Sequence, residues 1–521
     1  MWNRDILLSF TACLLFTHCN TQQKEKNPNV LFIAVDDLKP MLGCYGDTLI
    51  KTPNIDALAQ RGHVFMNNHC QVAVCGASRA SLLTGLYADQ TKVWAFDTIR
   101  KFNPEIVTIP QHFKDAGYKT LNIGKIFDYR TVDKYSDSIS WDYVFPVSEE
   151  DYYPHYNKQT GIAALYHYQS SFVKEKYAQY KAEALAQGVD TFRYAFQRIS
   201  PATERLDVPD DAYKDGMFAK LAIEQIADLS KSNQSFFLAV GFHKPHLPFV
   251  APEKYWNLYP EEVILTAAYQ KMAGNPVEYA YHNSSELRNY TDSKGEWIYE
   301  KLGKGEKLSM EEQKHLIHAY MATVSFVDEQ VGKIIQELKS HDMYDNTIIV
   351  LWGDHGWHLG DHNMWGKASN FEQATRSPLI LSAPDLEQRK TSNPSSFVDI
   401  YPTLCEMAGL SLPDHLEGES LMKIMNNEST KPYAVSQYTR DQKMGYAVRD
   451  KRYRYVSWVE EGFHVNPEAD LSKTTDVQLF DYEKDPLETV NFANHPEYDT
   501  VLKQMESKLH SFYKQLTLIN E

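Results

Sequence analysis

Two short apolar runs, far apart in the chain, end abruptly at acidic residues, and they constrain the fold more than any other feature. Residues 29–35 are almost continuously apolar and stop at Asp36 and Asp37. Residues 346–352 repeat the design and run into Gly353, Asp354, His355 and Gly356. Short β-rich runs without polar alternation suit parallel strands covered on both faces. In open α/β sheets ligands gather beyond the carboxyl ends of such strands, so Asp36, Asp37, Asp354 and His355 are expected at one rim. Adjacent carboxylates repel unless a cation sits between them. An oxygen-rich set with a single histidine favours a hard divalent ion, Ca²⁺ or Mg²⁺, over Zn²⁺. Taken singly, each site also reads as an ordinary strand end with a capping aspartate.

The rest of the chain follows an α/β pattern. Helices are expected over residues 54–62, 75–86 and 106–117, the last starting near a proline, and strands over 120–123 and 235–241. Ser309 and Glu312 form a capping box before a long amphipathic helix reaching about residue 341. Residues 148–205, rich in Tyr, Lys and Gln with weak apolar period, read as an insertion over the site. Its aromatics would stack on sugar rings or lie on solvent-facing helices. From about residue 431 the texture changes to short strands rich in Tyr, Val and Arg, followed by a helix over 497–516. The expected architecture is a large mixed, mostly parallel sheet sandwiched by helices, with a small C-terminal subdomain containing an antiparallel sheet. The expected units are residues 26–430 and 431–521.

Residues 75–85 carry the most specific motif: Cys75, Ala77, Ser78 and Arg79, followed by Leu83-Thr84-Gly85. A cysteine among small residues is ordinarily an inert buried thiol. This stretch, however, resembles the signature C-x-(P/A)-S-R…L-T-G of the type I sulfatases, in which the cysteine is oxidised to formylglycine. Further segments resemble the same family in the same order. They include Val35-Asp36-Asp37-Leu38, Thr52-Pro53-Asn54-Ile55-Asp56, Gly124-Lys125-Ile126-Phe127, Gly241-Phe242-His243-Lys244-Pro245-His246 and Gly353-Asp354-His355-Gly356-Trp357. Trp365-Gly366-Lys367 with Ser369-Asn370, Met444-Gly445-Tyr446 and Tyr453-Arg454-Tyr455 complete the set. The chain is similar to the sulfatase branch of the alkaline phosphatase superfamily, most closely to its iduronate-2-sulfatase type.

That resemblance implies an alkaline phosphatase-like sulfatase fold and a set of roles. Ca²⁺ would be held by Asp36, Asp37, Asp354, His355 and the formylglycine oxygen at Cys75, where it would neutralise sulfate oxygens. A hydrated formylglycine has two hydroxyls, one to attack sulfur and one to collapse and expel sulfate. Asp354 would also help deprotonate the attacking hydroxyl. Arg79 would orient the hydrated aldehyde, Lys125 and Lys367 would clamp sulfate, and His246 would protonate the leaving sugar oxygen. His243, three residues earlier, reads as structural or as a neighbour of the substrate. The family places a histidine where this chain has Asp128. Asp128 is then a substitute base or a turn former, or the role passes to His243 or Tyr129.

A net charge of −16 argues against nucleic acid as a partner, so a sulfated glycan would meet a local basic pocket in an acidic shell. Residues 1–19 read as a signal segment: Arg4 precedes an apolar run over 6–16 that is short for a permanent membrane span. Cys19 and the polar stretch after it resemble a bacterial lipobox, so lipid attachment at Cys19 is expected, with ordinary secretion as the alternative. Of six cysteines two lie in this segment; if Cys75 is converted, the remaining Cys44, Cys70 and Cys405 form at most one disulfide.

The functional expectation is an exported carbohydrate sulfatase, periplasmic or at the cell surface, acting on a sulfated poly- or oligosaccharide such as ulvan or a glycosaminoglycan. The subfamily resemblance suggests the 2-O-sulfate of a uronic acid. Its partners would be that substrate and a formylglycine-generating or sulfatase-maturating enzyme, with membrane contact only through the lipid anchor. The alternatives are a formylglycine-dependent phosphonate or phosphodiester hydrolase, and a catalytically decayed glycan-binding lipoprotein.

Overall fold

The computed structural model describes residues 27–133, 136–145, 168–282, 285–384, 386–428, 430–440, 442–460 and 470–520. The signal segment and Cys19 lie outside them. The central sheet has eight strands: β1 (Asn29–Val35), β2 (Gly62–His69), β3 (Lys119–Gly124), β4 (Tyr143–Phe145), β5 (Phe236–Phe242), β6 (Thr347–Gly353), β7 (Leu379–Ser382) and β8 (Arg389–Ser396). Their order across the sheet is β8-β2-β7-β6-β1-β5-β3-β4. Only the two pairings made by β7 are antiparallel. The other five are parallel, so seven strands point one way.

The continuous apolar character of β1 follows from its place at the centre of this sheet. Successive side chains point to opposite faces, and both faces are covered. Leu31, Ile33 and Val35 join one core with helices α3 (Lys214–Leu229) and α4 (Met310–Ser340), including Phe218, Leu316 and Tyr320. Val30, Phe32 and Ala34 join the other with α1 (Cys75–Thr84) and α5 (Ile400–Ala408), including Ala77, Leu83 and Leu404. Burying one such aliphatic side chain contributes about 1.5–3 kcal/mol, so both runs are strongly committed to the interior.

Register places the site. Val35 lies level with Phe242 of β5 and Gly353 of β6, and Gly124 of β3 lies level with Gly241 of β5. The residues that follow, Asp36, His243, Asp354 and Lys125, therefore leave the sheet along one edge. Close strand approach requires the two level glycines, since a Cβ at Gly124 would stand 2.2 Å from the Gly241 carbonyl oxygen.

Element bounds differ from the sequence reading mainly where a cap decides them. The helix expected over 75–86 stops at Thr84, because Gly85 takes φ 72° and its N–H closes on the Ser81 carbonyl. The helix expected over 106–117 is Ile109–Asp115, since the Thr108 side chain caps it and Pro110 sits in its first turn. The capping box of Ser309 and Glu312 is present, and α4 runs to Ser340. Of the stretch 148–205, residues 148–167 lie outside the described residues. After them, Tyr168, and Tyr177 on α2 (Ser171–Gln187), are buried in the core rather than presented to solvent.

Past residue 431 lies the expected antiparallel sheet, β9 (Ala434–Arg440), β10 (Lys443–Arg449), β11 (Tyr453–Val459) and β12 (Thr474–Asp481), in sequential order. Helix α6 (Asp499–Asn520) packs Met505, Leu509 and Phe512 against Val435, Tyr446 and Val448 on one face. The other face carries Ala447, Val456 and Trp458 against Phe371, next to the loop that bears Lys367. The four cysteines of the described residues are free and buried. No helix among the described residues is long and apolar enough to cross a membrane.

Candidate active site

Asp36 and Asp37 follow β1 directly, and Asp37 adopts a left-handed backbone, φ 59°, that a non-glycine residue holds only under constraint. Three contacts supply it. The Asp37 N–H donates to Asp354 Oδ1 at 2.9 Å, the Tyr320 hydroxyl of α4 donates to the Asp37 carbonyl at 2.7 Å, and Lys39 N–H donates to the same hydroxyl at 3.0 Å. Tyr320 was not singled out from sequence; it lies in the middle of an amphipathic helix and carries no local signal.

Cys75 is the first residue of α1, so the helix amides face the site. The next position tolerates only glycine: a Cβ on Gly76 would fall 2.2 Å from the Ala95 carbonyl oxygen, 2.8 Å from Thr131 Cγ2 and 2.9 Å from the Phe96 ring. Cys75 Sγ lies 3.2 Å from His355 Nε2 and 4.0 Å from Asp37 Oδ1. Burial first, and then the carboxylate of Asp36, push its thiol well above the ordinary range, so the sulfur is not a ready thiolate.

The donor set fits a divalent cation. Asp36, Asp37, Cys75 and His355 are all buried, and each offers a ligand atom within 4.8 Å of the others. His355 Nδ1 lies 3.0 Å from the Gly356 carbonyl. A carbonyl only accepts, so Nδ1 carries the proton and the Nε2 lone pair faces Asp37 and Cys75, the tautomer a metal ligand needs. Asp354 adjoins this group, with Oδ1 3.7 Å from His355 Nε2, while its Oδ2 accepts from Arg79 Nε at 2.9 Å. The Ser78 hydroxyl donates to the Asp354 backbone carbonyl.

Cations ring the cluster. Arg79, fully buried, also donates to Asp36 Oδ1 at 3.3 Å and to the carbonyls of Lys125 and Ile126. Lys125 Nζ lies 2.6 Å from Asp36 Oδ2, and Lys367 Nζ lies 2.8 and 3.0 Å from the two oxygens of Asp37. Burial works against an ionised Asp36, but Lys125, His246 and Arg79 outweigh it and hold that carboxyl well below its usual range. For Asp37 burial prevails over His246 and Lys367, and its carboxyl is raised.

His246 reaches the rim from the loop after β5. Asp215 of α3 pins that loop by accepting from the N–H groups of His243 and Lys244, while Lys244 Nζ donates to the carbonyls of His246 and Pro248. The His246 side chain is 25% exposed, with Nδ1 2.7 Å from the Leu247 carbonyl and Nε2 2.8 Å from Glu286 Oε1. Burial disfavours its charged form, yet Asp37 and Glu286 prevail and its pKa is raised. Glu286 also accepts from Lys367 at 3.0 Å, and nothing in its sequence neighbourhood marks it. His243 packs its ring toward Phe218 at 5.9 Å between centroids and meets Asp215 through its backbone.

Asp128 is buried and bound in a fork by Arg130, whose Nε and Nη2 donate to its two oxygens at 2.8 and 2.7 Å. Lys125 Nζ stands 3.6 Å from the same carboxylate. Burial opposes ionisation, but Arg130 and Lys125 hold Asp128 well below the ordinary carboxylate range. Tyr129 is exposed. The Lys367 loop is anchored from the C-terminal sheet: Asn370 donates to the Gly445 carbonyl at 3.0 Å, and buried Arg454 donates to the Asn370 carbonyl. A Cβ at Gly445 would stand 2.4 Å from Asn370 Nδ2, which accounts for both C-terminal motifs.

A family model described as "Sulfatase" matches residues 28–410, and one described as "N-sulphoglucosamine sulphohydrolase, C-terminal" matches residues 360–515. The chain is 31% identical to iduronate 2-sulfatase of Homo sapiens, over 94% of this chain and 95% of that protein. It is also 31% identical to a sulfatase of Formosa agariphila, over 95% of this chain and 90% of that protein. Among solved structures it resembles an enzyme in complex with its substrate D-glucosamine-2-N,6-O-disulfate. That likeness has a TM-score of 0.69 at 21% identity, and covers 94% of this chain and 99% of the other.

Proposed function

The chain belongs to the sulfatase family, in the alkaline phosphatase superfamily, and is a sulfuric ester hydrolase; on that premise we propose that it removes sulfate from carbohydrate through a formylglycine made from Cys75. The observation that carries this reading is the buried meeting of Cys75 with Asp36, Asp37 and His355 at a helix N-terminus, between Lys125, Lys367 and His246. Carbohydrate is supported by the relatives, which include an iduronate 2-sulfatase, and by the second family model, that of an N-sulphoglucosamine sulphohydrolase. The 2-O-sulfate of a uronic acid is the specific ester we favour. A glycosaminoglycan would carry that ester, and ulvan, which holds uronates and sulfated rhamnose, is the algal alternative as substrate.

Asp36, Asp37, Asp354, His355 and residue 75 would hold Ca²⁺. The ion and a hydrated aldehyde at residue 75 would together supply a charge to neutralise sulfate oxygens and a hydroxyl of lowered pKa for attack on sulfur. The remaining work falls to side chains. Arg79 holds Asp354 through Nε and fixes its orientation beside residue 75. Lys125 and Lys367 place ammonium groups where sulfate charge must be offset, as point charges suited to a rotating tetrahedral anion. His246, with Nδ1 committed to a backbone carbonyl, keeps Nε2 as the atom that passes a proton to the departing sugar oxygen. Asp128, locked in its fork with Arg130, serves to position cations rather than to accept a proton.

From the signal segment we further propose that the protein is exported, periplasmic or cell-surface, either with lipid at Cys19 or by ordinary secretion, and that it is a client of a formylglycine-generating or sulfatase-maturating enzyme. The test is sulfate release from a panel of ulvan, carrageenan, heparin and chondroitin fragments, using protein coexpressed with that enzyme. Release from one class by the wild type and not by Cys75→Ala establishes the activity and its substrate class. Silence across the panel, with the aldehyde verified by mass, refutes it.

A further inference from the structure

Arg130 stands just outside the machinery described above, yet its geometry is that of a ligand-binding residue. Its side chain is 40% exposed, and its guanidinium lies over the Phe96 ring at 3.5 Å from the centroid. Phe96 in turn packs on Gly76, immediately after Cys75. Arg130 therefore sits at the rim beside the reacting residue. Asp128 Oδ2 lies between Arg130 Nη2 at 2.7 Å and Lys125 Nζ at 3.6 Å, and Lys125 touches Asp36. All of Arg130's side-chain hydrogen bonds among the described residues go to Asp128, through Nε and one Nη2 proton.

A guanidinium has five N–H donors in a planar fork. With the Nε–Nη2 edge taken by Asp128, the Nη1–Nη2 edge remains, and that edge matches a carboxylate or a sulfate bidentately. Stacking on Phe96 and the fork with Asp128 fix its plane in advance, so little side-chain freedom is lost when an anion docks. Half-exposed Phe96 and exposed Tyr129 flank it and offer apolar surface to a sugar ring. On the proposed reading Lys125 and Lys367, which reach Asp36 and Asp37, serve the scissile sulfate, and Arg130 remains for a second charge.

Resting on the carbohydrate-sulfatase reading, we propose that Arg130, oriented by Asp128 and Phe96, is a specificity-determining residue that binds a second anionic group of the substrate, a carboxylate or a further sulfate next to the scissile ester. Asp128 is then the positioning residue that fixes the plane of this guanidinium.

The test is ligand affinity by calorimetry in the Cys75→Ala background with Ca²⁺ present, which binds without turnover. Three probes are used: a 2-O-sulfated uronate disaccharide, a disulfated neutral disaccharide and a monosulfated neutral disaccharide. Adding Arg130→Ala is expected to lower the affinity ratio of an anion-bearing probe to the monosulfated neutral one by about tenfold to a hundredfold. The uronate probe responding alone names a carboxylate as the group read, and the disulfated probe responding alone names a sulfate. Arg130→Lys, which keeps a charge beside buried Asp128, is expected to recover only part of the ratio, because an ammonium lacks the fork. An unchanged ratio for both anionic probes in either variant, with melting temperatures intact, overturns the proposal. A protein that binds none of the three probes refutes the carbohydrate reading itself, and this proposal with it.

Discussion

His246 Nε2 lies 2.8 Å from Glu286 Oε1, and the same oxygen lies 3.0 Å from Lys367 Nζ. One carboxylate thus joins the proposed proton donor to one arm of the proposed sulfate clamp, from a segment forty residues beyond the histidine. Glu286→Gln keeps an acceptor but removes the charge that favours protonated His246. We expect kcat on a sugar sulfate, whose leaving oxygen needs a proton, to fall about tenfold or more, and turnover of an activated aryl sulfate to fall less. Equal losses on both substrates would limit Glu286 to holding Lys367.

Replacing Cys75 by Ala should lower turnover by about 10³-fold or more, with a melting shift below about 4 °C. The side chain is small, and its neighbours are held by Arg79 and Ser78 rather than by the sulfur. Peptide mass spectrometry of the wild type checks the premise, since only a converted residue 75 shows the thiol-to-aldehyde change. Substantial activity in Cys75→Ala would remove the formylglycine assignment.

Chelation should inactivate the enzyme reversibly and lower its melting temperature, because buried Asp36 and Asp37 would then share their space with fewer positive charges. Ca²⁺ should restore more activity than Zn²⁺, given three carboxylates and one histidine. Asp37→Asn should abolish the melting response to Ca²⁺. A protein indifferent to chelator in both readouts carries no such ion.

Glu488 gives a pH dependence away from the site. It is buried beside Glu372, and burial pushes its carboxyl up to about 7 from 4.5, against the pull of Arg454 and the Tyr482 hydroxyl. The folded protein therefore holds this proton more tightly than the unfolded chain. That contribution is fully present below pH 4.5 and is lost as pH rises through 7. Relative to Glu488→Gln, the wild type should lose about 2–3 kcal/mol of stability between pH 5 and pH 8, read by denaturant unfolding at both. Identical pH profiles for the two proteins would exclude it.

Much of this protein was legible in the chain. The apolar runs over β1 and β6, the capping box at Ser309 and the glycine that ends α1 are local signals, encoded by side chains that act on their own backbone or on the next turn. Asp36, Asp37, Asp354 and His355 follow directly on such strands and Cys75 opens a helix, so locating the elements located the residues. Lys125, His246 and Lys367 came from a resemblance, and the geometry brings Lys125 to Asp36 and the other two to Asp37.

What the sequence alone determined is therefore the class of sheet, the residues at its carboxyl edge and the family they belong to. The tertiary structure decided which neighbours act on those residues. Tyr320 reaches Asp37 across 283 positions and Glu286 meets Lys367 across 81. Arg130 ties off Asp128, a motif position whose role the chain left open. Local preference operates over a few residues of backbone. The partner of a loop carboxylate or a mid-helix tyrosine depends instead on how distant segments pack, which no single stretch of sequence records.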